Sequence, residues 1–178
     1  RTALVGRDAE VGALRHMVKL VHARRRSQLV LLFGDAGVGK SRLAQHIGDL
    51  ATEEFGARTL VGHCVPYGDA NAFGPVAEIL REVCGIELLA DTGDARLRVV
   101  ETVMATLGVT TDTNEVDRLV EGLMFVIDGS SRPGVDPIRA RDESIRSCLA
   151  FFEAIAAQGP LVLGLADLHW ADDAVLEL

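Results

Sequence analysis

Three glycines, a lysine and a serine fall inside one short run, Gly34-Asp35-Ala36-Gly37-Val38-Gly39-Lys40-Ser41. Residues of these types at this spacing suit anion chemistry. The glycines let the backbone curl so that successive N–H groups point inward at phosphate oxygens. The amphipathic stretch that begins near Arg42 would add the positive end of a helix dipole. In such a phosphate-binding loop Lys40 would bridge the β- and γ-phosphates, and the Ser41 hydroxyl would reach a magnesium ion that also touches the nucleotide. Lys19 and Lys40 are the only lysines against a large excess of arginine. A composition that has nearly abandoned lysine therefore keeps one where an ammonium group has a defined task. The alternative, a Gly-rich strand-to-helix turn without a ligand, has less in its favour because both flanks are of the required type.

Those flanks are the elements that must position the loop. Leu29-Val30-Leu31-Leu32-Phe33 is apolar on both faces, as a central parallel strand covered by helices would be, and it would deliver the loop at its carboxyl end. A helix from Ser41 carries Leu43, Ile47 and Leu50 on one face and stops around Gly56. Residues 58–65 read as a second strand, ended by Pro66-Tyr67-Gly68-Asp69. Leu161-Val162-Leu163-Gly164-Leu165 reads as another short buried strand that closes on Ala166-Asp167. An acid at such a strand tip is where a magnesium-binding carboxylate belongs, although an Asp there also serves to cap the following turn. Near the start, Val11, Leu14, Val18 and Val21 recur at helical spacing behind Asp8, a candidate N-cap. The preceding Val5-Gly6-Arg7 turn either belongs to an ordinary helix packed on the sheet or brings backbone close to a bound base.

Four helical patterns fill residues 73–158. One opens on Pro75 with Val76, Ile79, Leu80 and Val83. The second is capped by Asp94, with Leu97, Val100, Met104 and Leu107 facing inward. The third carries Val116, Leu119, Val120, Leu123 and Ile127. The last, from about Ile138 to Ala157, turns Ile145, Leu149, Phe152 and Ile155 inward. Met104 and Met124 read as core filler.

A chain of 178 residues with a 48% hydrophobic fraction can bury one sizeable core, built mainly from aliphatic side chains because aromatics are only 4%. No apolar run is long enough to cross a bilayer, and no signal-peptide pattern opens the chain. The net charge of −8 gives nucleic acid little general attraction. The one basic run, Arg24-Arg25-Arg26, lies at a helix end, where cations complement the dipole. Cys64, Cys84 and Cys148 are isolated and lack metal-ligand spacing, which suits buried thiols in a reducing cytoplasm. The chain starts at Arg1 and stops inside an apolar segment, so it reads as a piece of something longer.

Four patches, Leu4 to Glu10, Gly34 to Leu43, His63 to Gly68 and Leu161 to Asp173, together resemble the ATPase module of STAND-class signalling NTPases. The likeness is to the version found in large bacterial LuxR-type regulators and cyclase-linked ATPases. The resemblance implies an α/β fold of the AAA-related P-loop NTPase type, three layers α/β/α with a mainly parallel sheet. It implies one domain over residues 1–178 with a helical insertion at 73–158, truncated after the Walker B strand that ends at Asp167. ATP and ADP with Mg2+ would be the cofactors. Val5, Gly6, Arg7, Gly34, Asp35, Ala36, Gly37, Val38, Gly39, Lys40, Ser41 and Arg42 would bind nucleotide, with the Gly6-Arg7 turn near adenine. Lys40 and Asp167 would be catalytic, and Ser41 and Asp167 would hold the metal.

The family's Walker B strand usually ends in two acids, and Ala166 occupies the first slot here. A methyl group cannot coordinate a hard cation, so binding is expected to survive while hydrolysis is slow or absent. A further strand would lie beyond Leu178, which predicts a gap or exposed edge beside Leu29–Phe33. Arg139 and Arg141 read as solvated helix-surface residues, with arginine fingers for a neighbour's γ-phosphate as the alternative. The leading expectation is a cytoplasmic, ATP-binding regulatory switch inside a multidomain regulator. Its partners would be nucleotide, other domains of the same chain and a second copy on activation, with no nucleic-acid or membrane contact. The alternatives are a small-molecule kinase and a protein-interaction module on a vestigial nucleotide fold.

Overall fold

The computed structural model describes residues 6–65, 73–87, 90–108, 112–129, 134 and 136–171. Val5, the Pro66–Asp69 turn and the acids at 172 and 173 lie outside them. Six α-helices and two strands are formed among the described residues: α1 (Asp8–Arg24), α2 (Lys40–Phe55), β1 (Arg58–His63), α3 (Gly74–Cys84), α4 (Thr92–Leu107), α5 (Thr113–Asp128), α6 (Pro137–Gln158) and β2 (Leu161–Ala166). β1 and β2 pair as a two-stranded sheet. The Arg58 N–H donates to the Pro160 carbonyl at 2.9 Å and the Cys64 N–H to the Ala166 carbonyl at 3.0 Å. Both strands therefore advance together, which is the parallel register. Contacts divide the chain into two compact units, Arg1–Thr59 with Gly159–Gly164, and Leu60–Gln158 with Leu165–Leu178.

In the first unit α1 packs on α2. Arg15 on α1 pairs with Glu54 on α2, and the guanidinium's hydrogen bond holds the Glu54 carboxyl below its ordinary range. The His22 and Phe55 rings meet at 5.0 Å. Leu14 from α1 and Leu43, Leu50 and Ala51 from α2 are buried, close to the faces expected from spacing. Capping differs in detail: Arg7, not Asp8, is the N-cap residue of α1, and its side chain makes no cap bond.

Leu29–Phe33 corrects the sequence reading. It takes no strand assignment, and Leu29 and Phe33 are 83% and 86% exposed. A segment apolar on both faces becomes a covered central strand only with a ladder partner alongside, and no described strand pairs with it. β2 is also less covered than expected of a buried strand, with Leu163 44% exposed.

The second unit is a helical block in which α5 contacts α3, α4 and α6. Its core holds Ile79 and Leu80 from α3, Val99 and Val103 from α4, Leu119, Val120, Leu123, Met124, Val126 and Ile127 from α5, and Phe151 and Ile155 from α6. α3 and α5 bury the faces that their periodicity predicts. α4 and α6 do not. α4 is capped by Asp91, which accepts from the Asp94 N–H at 2.8 Å, and it buries Ala95, Val99 and Val103. Leu97 is 58% exposed and Met104 is exposed too, so Met104 is not core filler, whereas Met124 is.

On α6 the inward set is Ser144, Ser147, Cys148, Phe151 and Ile155, and Leu149 is 44% exposed. The cause is a close crossing. A Cβ added at Gly122 of α5 would lie 2.5 Å from the Ser147 Cβ, so the absent side chain and the small one let these two helices approach. Arg139 on α6 is exposed, but Arg141 is only half-exposed and its Nε is buried, which corrects its reading as a solvated surface residue.

Cys64, Cys84 and Cys148 are buried, as expected. Burial pushes the Cys148 thiol from 9.0 up to about 12. Between those two values the unfolded chain releases a proton that the folded chain retains. This contribution to stability is therefore fully present below pH 9 and is lost as pH rises toward 12. Urea midpoints measured at pH 8 and pH 11 should fall more steeply for the natural protein than for Cys148→Ala. Identical slopes would contradict this assignment.

Candidate functional site

The glycine-rich run bends at its glycines. Gly37 has φ 82° and Gly39 φ 91°, both in the left-handed region that a side chain disfavours. Gly39 is the N-cap residue of α2, so the helix opens directly on the loop at Lys40, slightly earlier than periodicity suggests. No side chain caps this helix start and no acid stands in its first turn. The positive dipole end and the first-turn N–H groups of Lys40 and Ser41 therefore meet the loop without a competing carboxylate.

The Lys40 ammonium curls back over the run. Its Nζ donates to the Gly34 carbonyl at 2.7 Å and to the Asp35 carbonyl at 2.9 Å. Two of its three donors are thus committed to loop backbone. Val38 N–H reaches the Asp35 carbonyl at 3.5 Å, a long turn bond. Asp35, Ala36, Ser41 and Arg42 are exposed. Gly6 and Arg7 belong to the same unit. The Arg7 guanidinium donates through Nη2 to the Val38 carbonyl at 2.9 Å and through Nη1 to Glu10 at 2.6 Å. The first unit therefore gathers the described loop residues with the Gly6-Arg7 turn.

Asp167 belongs to the second unit, directly after β2. It adopts φ 57°, ψ 40°, a left-handed conformation uncommon for a residue with a side chain and often found at functional positions. Its carbonyl accepts the Trp170 N–H of the short 3-10 turn Leu168–Trp170, but its carboxylate makes no capping bond. The capping role that competed with a metal-binding one is therefore not what the side chain does. Asp167 also influences Cys64, whose thiol is raised first by burial and then by the Asp167 charge.

A neighbouring pair was not visible in the sequence. His63, at the carboxyl end of β1, holds Glu78 of α3 through its backbone N–H at 2.7 Å and its Nδ1 at 3.1 Å. No spacing rule links these residues, whereas Arg7 and Glu10 stand at i,i+3 and could have been paired from the sequence.

The sequence profile of the AAA ATPase domain matches residues 3–178. The chain belongs to the AAA ATPase domain family. As an AAA ATPase domain it is a P-loop nucleotide-binding module of α/β fold. This AAA domain is 28% identical over 176 residues to the uncharacterized protein R02095 of Rhizobium meliloti (strain 1021). The alignment covers 98% of this chain and 16% of that relative, so the chain spans about a sixth of the relative's length. No solved structure matches it. Among the described residues of the AAA domain, no helix is long and apolar enough to cross a membrane.

Proposed function

We propose that this AAA domain is an ATP-binding regulatory switch within a longer STAND-type signalling or transcriptional regulator, one that binds ATP and ADP and hydrolyses ATP slowly or not at all. The observation that carries the reading is the bonded state of Lys40. Its ammonium closes the Gly34–Gly39 run on itself at the mouth of α2, the arrangement an anion-binding loop needs. Lys40 would exchange part of that backbone contact for the β- and γ-phosphates. The Gly6-Arg7 turn would lie toward the adenine.

The Ser41 hydroxyl and the Asp167 carboxylate are hard oxygen donors that suit magnesium, which would neutralise phosphate charge when bound. Ala166 offers only a methyl group in the first acidic slot, where the metal-holding carboxylate would stand, so Asp167 would have to serve the metal and no second acid is left to polarise an attacking water. That substitution favours binding without turnover. Triphosphate and metal contacts would favour one arrangement of the helices after Phe73 over another, which is a population shift driven by differential affinity.

Calorimetric titration with ATP and with ADP in magnesium, with phosphate release measured alongside, tests the reading. Both nucleotides should bind, and release should be slow. Ala166→Asp should raise turnover by about tenfold or more, because it restores a positioned carboxylate. Absence of binding heat from both nucleotides would sink the proposal. Binding with flat turnover in Ala166→Asp would leave a sensing module and remove the explanation from Ala166.

A further inference from the structure

The Arg7 side chain is held at two points and does not cap the helix it precedes. The Arg7 carbonyl accepts the Val11 N–H at 2.9 Å, but its side chain leaves the α1 terminus uncapped. The guanidinium instead spans from the Glu10 carboxylate to the Val38 carbonyl. Val38 sits between Gly37 and Gly39, both at positive φ, where the backbone has the most alternative conformations to lose. Lys40 holds the beginning of the loop through Gly34 and Asp35, and its bonds do not extend to this peptide.

The peptide plane makes the Val38 contact consequential. In a trans peptide the carbonyl oxygen and the next N–H point in opposite directions. Holding the Val38 carbonyl toward Arg7 therefore turns the Gly39 N–H the other way. A flip of this one peptide would exchange a donor for an acceptor in the loop, replacing attraction for an anion by repulsion.

We propose that Arg7 is a positioning residue that fixes the Val38–Gly39 peptide plane before nucleotide arrives, and that Glu10 fixes Arg7. The benefit is preorganisation: the ordering of a glycine-flanked peptide is completed in advance and does not subtract from affinity. The Glu10 carboxyl, held below its ordinary range chiefly by the Arg7 hydrogen bond, remains charged and keeps its grip. The affinity consequence rests on the nucleotide-binding reading. The ordering of the loop does not.

Arg7→Ala, Arg7→Lys and Glu10→Gln separate these elements. In nucleotide-free protein, 15N relaxation should show a rigid Gly39 amide, with its order parameter falling from about 0.85 to below about 0.6 in Arg7→Ala. Amides of α5 should not change. ADP affinity should drop about threefold to tenfold in Arg7→Ala. Arg7→Lys, a single point charge without the two-armed fork, should recover less than half of either effect. Glu10→Gln should move both readouts in the same direction by less, and it carries the test if Arg7→Ala fails to fold. An unchanged Gly39 amide in both Arg7→Ala and Glu10→Gln overturns the proposal. Weaker ADP binding with unchanged Gly39 dynamics also overturns it, because Arg7 would then act on the ligand directly. If the natural protein fails to bind ADP, the nucleotide reading falls while the relaxation data still decide whether Arg7 orders the loop.

Discussion

Lys40→Ala is expected to weaken ATP binding by about tenfold to a hundredfold, the range for losing charge-assisted hydrogen bonds to phosphate. Two losses combine. The variant removes the ammonium that would face the β- and γ-phosphates, and it removes the bonds at 2.7 and 2.9 Å that hold the Gly34 and Asp35 carbonyls. Comparing nucleotides separates them. A γ-phosphate contact makes the loss larger for ATP than for ADP, whereas a collapsed loop weakens both equally. Titration calorimetry on both ligands provides the measurement. ATP affinity unchanged from the natural protein would remove Lys40 from the site and the switch proposal with it.

The second large effect is on stability. Gly62→Ala should destabilise the protein by about 3 kcal/mol, the upper range for forcing an extra methyl into a packed site. A Cβ at Gly62 would lie 2.0 Å from the Pro75 carbonyl oxygen, 2.7 Å from its carbon and 3.0 Å from its Cα. These are backbone atoms of the first turn of α3, so no rotamer change relieves the clash. Either β1 or α3 must move, and the adjacent His63–Glu78 contacts would be strained by the shift. Gly12 is the control. It is exposed within α1 and nothing lies within 4 Å of its added Cβ, so Gly12→Ala should stabilise by about 0.5–1 kcal/mol through helix propensity alone. Urea unfolding that finds Gly62→Ala as stable as the natural protein would show that α3 does not sit this close to β1.

The features legible in the sequence are those whose cause is local. The glycine, lysine and serine spacing marks the loop because curled backbone needs glycines and phosphate needs an ammonium. The helices of the block after Phe73 are readable because each repeats apolar residues at its own period, and α3 and α5 carry a single apolar stripe that leaves one choice of inward face. α4 and α6 each offer more than one stripe, so periodicity alone leaves their inward faces open. On α6 Ile145, Leu149 and Phe152 lead to Ile155 along one stripe and Cys148 and Phe151 lead to it along another, and no property of the helix alone ranks the two.

The sequence by itself therefore determined the motif, the order and kind of most elements, and an Asp without an acidic neighbour at the end of β2. The tertiary structure decided which faces are buried, because the Gly122–Ser147 crossing lets α5 and α6 close only on the serine side. It decided that Leu29–Phe33 stays uncovered, since an apolar run becomes a strand only when a partner satisfies its backbone. It also joined Arg7 to Val38 and His63 to Glu78, pairs whose members are far apart in the chain and meet through folding rather than through any local period.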